Sequence, residues 1–313
     1  FDDCINVISF ERCFCDCFIL MSIPSNLFAK CSKVNSFAST FSGCANLMNI
    51  PELLFDKNSE VTTFSYCFGG CKSIKTIPAN LFGKCMNTIT FSSCFQDCTS
   101  LVDIPEGLFS KCTAVTDFSY CFRGCSRLIT ISPGLFLNCL KVSTFSGCFI
   151  ECNSIKTIPV GLFDNCPNVT RFWGLFWACR ELEHIPEGLF DNCPNVESFS
   201  YCFNGCSKLD NIPSKLFKNC PNVSTFEWCF INCSSASHLP TLWVQYYGKD
   251  IIKKECFKGC TEADNWSDVP VSWGGTAEEY IPPVTLSGPA LADYNAFNAR
   301  LMNIENQLNI NKN

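Results

Sequence analysis

The sequence has only 2 His and 4 Met in 313 residues, and only 17% of it is charged. Lys and Arg number 23 against 29 Asp and Glu, a net charge of -6. That balance provides no basic footprint for nucleic acid or for an acidic membrane surface. No apolar run approaches the roughly 18–20 residues needed to cross a bilayer, and the N-terminus lacks a basic segment followed by an apolar core. The P-loop, G-x-G-x-x-G, G-x-S-x-G and H-E-x-x-H patterns are all absent, and neither His184 nor His238 stands in a recognisable catalytic motif. The sequence therefore predicts no enzyme, no catalytic residue, no cofactor and no membrane insertion.

What the chain does hold is 30 Phe and 27 Cys, and both are used systematically. Ile-Pro recurs at Ile23-Pro24, Ile50-Pro51, Ile77-Pro78, Ile104-Pro105, Ile158-Pro159, Ile185-Pro186 and Ile212-Pro213, with Ile131 and Leu239 filling the missing beats, so the period is 27 residues. One unit reads I-P-x-x-L-F-x-x-C-x-x-V-x-x-F-x-x-C-F-x-x-C-x-x-L-x-x, as from Ile185 to Asn211. Twenty-eight of the 30 Phe fall in three columns, those of Phe190, Phe199 and Phe203, with Phe18 and Phe297 outside. Twenty-six of the 27 Cys fall in the columns of Cys193, Cys202 and Cys206, leaving Cys15 apart.

A fixed period of this length marks a solenoid. Each unit forms one coil whose apolar side chains point inward and stack on their counterparts one coil away. A lone coil would leave both faces of its core wet, so neighbours complete one another. At a strand spacing of about 4.8 Å, nine or ten coils span on the order of 45 Å. The segments K-L-D-N-I-P and N-V-E-S-F-S predict short strands, and the stretch ending C-F-N-G-C predicts a short helical turn, giving an α/β repeat solenoid. Gly, Asp or Asn before the last Cys in most units, as at Gly205, Asp97 and Asn232, predicts a left-handed residue closing that turn.

Residues 1–239 are read as the solenoid. Phe1 falls in mid-repeat, so the sequence reads as a fragment with room upstream for a signal and further repeats. Residues 240–275 depart from the pattern and are read as a C-terminal capping repeat. Residues 276–313 begin with a Pro-containing linker and continue into an amphipathic helix. There Tyr294, Phe297, Leu301, Ile304 and Leu308 follow 3-4-3-4 spacing, an a/d seam for homo-oligomerisation or partner docking. A helix folded back on its own solenoid is the alternative.

The pattern F-x-x-C-x-x-L-x-x-I-P, as in Phe203 to Pro213, resembles the BspA-like leucine-rich-repeat proteins common in Bacteroidetes and some mucosal protists, over roughly residues 1 to 270. The resemblance implies a right-handed leucine-rich-repeat coil and display at the cell surface for adhesion to host proteins or other cells. It transfers no catalytic residue, and the unit here is longer than the common one. L-A-D-Y-N-A-F-N-A-R-L resembles helical segments in tail-fibre and receptor-binding proteins of phages that infect gut Bacteroidetes. That second resemblance implies a virion fibre or decoration protein.

The cysteines read either as disulfides across coils or as small buried hydrophobes. The Cys columns tolerate Thr40, Asn58 and Leu175 singly, whereas bridged pairs would be lost together, so a mostly reduced ladder is expected. The C-x-x-x-C pairs lack the spacing of structural zinc, and no metal is expected. Candidate binding residues lie in the variable columns. Tyr66, Tyr120, Tyr201 and Trp228 precede the middle Cys column, and Trp173 and Trp177 flank Leu175. They read either as contacts to a protein or glycan on a cell surface, or as half-buried spacers.

Overall fold

The computed structural model describes residues 1 and 3–282, and the chain divides into two compact units, Phe1–Glu278 and Glu279–Asn313. Tyr294, Phe297, Leu301, Ile304 and Leu308 lie outside the described residues.

The first unit is a stack of turns. Two rows of parallel bridges join coil to coil, always between residues 27 apart in sequence. One row runs Ser9, Ser36, Thr63, Thr90, Asp117, Thr144, Arg171, Ser198, Thr225 and Ile252, and the other includes Thr157, His184, Asn211 and His238. Each contact is an isolated bridge, so the expected strands shrink to a single bridged residue per side.

The expected helical turn is also corrected. Among the described residues the one α-helix, α1, is Leu242–Gln245, outside the repeating coils. The reason lies in the direction of the amides. The N–H groups of Phe199, Tyr201, Phe203 and Gly205 leave their coil and donate to the carbonyls of Thr225, Glu227, Cys229 and Ile231 at 2.8–3.1 Å. The amides between them bend back three residues, Cys202 to Phe199, Asn204 to Tyr201 and Cys206 to Phe203, at 3.1–3.2 Å. Tyr201 and Gly205 sit at φ 59° and 69°, the positive value a type II turn needs at its third residue. A left-handed residue every fourth position forbids an α-helix and frees alternate amides to join coils. The left-handed residue before the last Cys is present as expected, but it closes a tight turn instead of a helix.

Three columns of phenylalanine form the core. Phe55, Phe64 and Phe68 lie nearly parallel to Phe82, Phe91 and Phe95 one coil on, with centroids 6.1, 5.5 and 5.6 Å apart and planes within 8°. Within a coil the first two columns meet at an angle, Phe82 against Phe91 at 4.6 Å and 61° and Phe55 against Phe64 at 4.8 Å and 58°. These rings are fully buried. Each contributes about 1.5–3 kcal/mol by burial, and offset or edge contacts add about 0.5–1.5 kcal/mol per pair.

The cysteines fill the space between rings and also donate. In the last column Cys71, Cys98, Cys152 and Cys206 direct Sγ to the carbonyls of Phe41, Phe68, Phe122 and Phe176, 30 residues back, at 3.1–3.2 Å. All 27 cysteines are free thiols. Two of the column exceptions keep a donor. Thr40 Oγ1 reaches the Phe10 carbonyl at 3.0 Å, and Asn58 Nδ2 reaches the Cys31 carbonyl at 2.8 Å. Burial pushes the thiols of Cys85, Cys139 and Cys220 up to about 12 from the ordinary 9.0.

Over the last coils the aromatic stack ends on different residues. Tyr246, buried, meets Phe226 edge-on at 5.0 Å and donates its O–H to the Cys220 carbonyl at 3.0 Å. Trp273 packs on Phe257 at 6.1 Å. The Asn265 side chain replaces a neighbouring backbone: Leu239 N–H donates to its Oδ1 at 3.0 Å, and its Nδ2 donates to the Leu239 carbonyl at 2.9 Å.

Candidate functional site

The turn that precedes the middle Cys column presents a variable side chain once per coil, always from a left-handed backbone. Ser39, Tyr66, Ser93, Tyr120, Gly147, Gly174, Tyr201 and Trp228 have φ between 53° and 63°. A non-glycine residue there carries a cost on the order of 1–2 kcal/mol. Three residues further on, a second variable column presents Gly69, Gln96, Arg123, Ile150 and Trp177 beside it.

Along these two columns, with Trp173 from the position just before the first, the structure brings together five of the six predicted aromatics, all half-buried. Trp173 is the hub, 6.3 Å from Tyr120, 5.9 Å from Trp177 and 5.6 Å from Tyr201. Trp177 meets Tyr201 at 5.1 Å, and Tyr201 meets Trp228 at 4.7 Å. Trp228 is held by its own neighbours: Nε1 donates to Glu255 Oε2 at 3.1 Å, and Lys254 Nζ lies 4.6 Å from the ring centroid. Tyr66 makes no ring contact in this cluster and borders a separate depression with Asp97 and Lys72. Burial, reinforced by Asp97 at Tyr66 and by Glu227 at Tyr201, holds both phenols above their ordinary value, so they are neutral donors at physiological pH.

The cluster opens into a cleft of about 330 Å³ where glycine occupies two successive positions of the left-handed column. Tyr120 stands before Gly147 and Gly174, and Tyr201 after them; the Tyr120 ring takes the space beside Gly147, and Gly174 carries no side chain over Ile150. Ile150 is buried beneath, 3.5 Å from where a Cβ on Gly174 would lie. Tyr120, Trp173 and Trp177 line the walls, while Gln96, Arg123 and Glu151 bring the polar groups. Arg123 Nε is buried without a hydrogen-bond partner, which costs about 1–3 kcal/mol. Gln96 Nε2 donates to Asp97 Oδ2 at 3.2 Å, and Glu151 is exposed at the rim.

Sequence reading missed Ile150, Arg123, Gln96 and Glu151. The available signal was the column of Trp177, whose other members are as variable as those of Tyr120 and stand three residues after them. His184 and His238 are exposed on the second bridge row, where His238 Nδ1 lies 2.7 Å from Asp264 Oδ1. Among the described residues no three His, Cys, Asp or Glu side chains are grouped to hold a metal ion, and no helix is long and apolar enough to cross a membrane.

Comparison with known proteins places these coils. No curated protein matches the chain. Among solved structures it is similar to a leucine-rich repeat protein from Bacteroides ovatus, at 20% identity over 82% of this chain and 81% of that one, with a TM-score of 0.26. It is similar also to the leucine rich repeat protein of T. pallidum, at 17% identity over 63% of this chain and 79% of that one, TM-score 0.27. A chain of the Drosophila Toll - Spatzle complex matches at 14% identity and TM-score 0.32 over 74% of this chain, which spans 41% of that chain's length. The family model for the BspA type leucine rich repeat region, in 6 copies, matches residues 4–170 and 99–224. With the greater part of its length so matched, the chain belongs to the BspA type leucine rich repeat family.

Proposed function

We propose that this chain is a non-catalytic recognition protein that binds a protein or glycan on a cell surface, using the aromatic track that runs through Tyr120, Trp173, Trp177 and Tyr201. One observation carries the reading. Tyr120 and Tyr201 hold large, half-exposed rings on left-handed backbone in a column where Gly147 and Gly174 show that glycine fits. A large ring kept on strained backbone, where a small residue is accepted, supports a functional role for the ring. Rigid aromatics on a repeating scaffold provide contact area at small entropic cost, as binding hot spots do. In this reading the coils are right-handed, residues 240–275 cap the stack, and residues 276–313 serve to oligomerise or dock.

The test compares the chain with a Trp173→Ala/Tyr201→Ala variant for binding to fixed host cells by flow cytometry. Both proteins must first show the same circular dichroism and melting temperature. Cell binding that falls at least tenfold in the variant supports the reading, and equal binding by two folded proteins overturns it.

A further inference from the structure

The geometry points to the cleft between Tyr120 and Trp177 as a binding site for a neutral sugar ring of a glycan, an inference that rests on the recognition role proposed above and narrows it to a ligand class. The apolar surfaces are aromatic and angled. Trp173 and Trp177 meet at 87° with centroids 5.9 Å apart, and both are half-exposed. A pyranose has one face of C–H groups that packs on an indole face, with hydroxyls around its edge that must find partners.

The polar set fits those hydroxyls. A hydroxyl both donates and accepts, so it needs both kinds of partner nearby. Arg123 brings a guanidinium donor group to the lining, Glu151 an acceptor, and Gln96 an amide whose Nε2 is held by Asp97. Among the lining residues the one guanidinium and the one carboxylate cancel, and the Asp97 carboxylate behind them is engaged by Gln96 Nε2, which favours a neutral ligand over an anionic sugar or a cationic side chain. A cation that entered the aromatic walls would meet Arg123, and an acid would meet Glu151. The volume of about 330 Å³ lies at the small end of the range for ligand pockets, suited to a short saccharide and not to a folded epitope.

The experiment titrates the full chain with three sets of probes, read by tryptophan fluorescence and calorimetry. They are neutral oligosaccharides of glucose, galactose, mannose and N-acetylhexosamines; sialylated and uronic-acid oligosaccharides; and a trimethyl-lysine peptide. The expected result is saturable binding of at least one neutral oligosaccharide. Trp177→Ala and Arg123→Gln each weaken it tenfold or more, while the folded control Met86→Ala, at an exposed residue outside the cleft, leaves it within twofold. No neutral sugar binding, binding restricted to the acidic sugars or the cationic peptide, or neutral binding indifferent to Trp177 and Arg123 would each overturn the inference. If a folded Trp177→Phe variant, which keeps a ring, binds as poorly as Trp177→Ala, stacking is not the mechanism and the inference also fails. Failure here with cell binding still dependent on Trp173 and Tyr201 leaves the recognition role standing. Cell binding independent of them removes that role whatever the sugars do.

Discussion

The ring of Tyr120 lies over Gly147 of the next coil: a methyl carbon on Gly147 would meet Tyr120 Cδ1 and Cε1 at 2.6 Å and Ile150 Cδ1 at 2.9 Å. The glycine is required for the space the ring occupies, and its φ of 63°, which other side chains of this column adopt only at a cost, favours it further. Gly147→Ala is expected to destabilise the chain by about 1–2 kcal/mol and to displace Tyr120. A thermal melt and a titration of cleft ligands would check both effects; an unchanged melt would show that the ring is not seated on the glycine.

The opposite substitution gains stability. Ser39 and Ser93 occupy the same column at φ 53° and 56°, half-buried. Ser39→Gly and Ser93→Gly should each raise stability by roughly 0.5–1 kcal/mol, the relief of left-handed strain less the extra entropy glycine gives the unfolded chain. Urea unfolding midpoints would measure it, and a loss of stability at both sites would contradict the strain assigned to this column.

Burial protects the thiols. Cys13 is exposed and Cys4, Cys15 and Cys17 are half-buried, while the other 23 are buried. Brief alkylation of the native chain should therefore label these four cysteines only, and alkylation in denaturant should label all 27. Peptide mass mapping reads both. Denatured chain, prepared without reductant, in which most cysteines resist alkylation would show disulfides in place of the thiol ladder.

The same burial sets the response to alkali. Cys85, Cys139 and Cys220 titrate at about 12 in the folded chain and near 9.0 when unfolded. Below pH 9 both states keep these protons and the stability is unaffected. Between pH 9 and 12 the unfolded state binds fewer protons, so each such thiol costs about 1.4 kcal/mol of stability per pH unit. With so many buried thiols acting together, cooperative unfolding is expected within one to two units above pH 9. A circular dichroism titration checks it, and a chain still folded at pH 12 would refute it.

The last-column thiols act as donors as well as filler. Cys152 Sγ lies 3.1 Å from the Phe122 carbonyl and is fully buried. Cys152→Ala should cost about 1–2 kcal/mol through the lost hydrogen bond and the small void. Cys152→Thr, which keeps a donor as Thr40 does, should recover part of that loss in chemical denaturation.

The repeat, the three phenylalanine columns and the cysteine columns were legible in the sequence because each coil meets the same neighbours one period away. The physical constraint repeats with the sequence, and a buried ring such as Phe82 can be replaced only by something that fits between Phe55 and Phe109. The left-handed site before the last Cys was legible for the same reason, since Gly43, Gly70 and Gly124 share one backbone requirement. The form of the turns was not. Whether C-F-N-G-C closes as a helix or as successive tight turns depends on where its amides go, and only the stacked coils show Phe203 and Gly205 donating to the coil beyond. The site lay further still from the sequence. Tyr120, Trp173 and Trp177 were visible as unusual residues, but Arg123, Ile150 and Glu151 join them only because coils stack side by side. The missing side chain at Gly147 leaves the room that the Tyr120 ring takes, so the wall of the cleft depends on a residue one coil away. Packing determined the columns residue by residue, while the surface cleft arises from neighbours that are 27 residues or more apart, a relation that stacking alone creates.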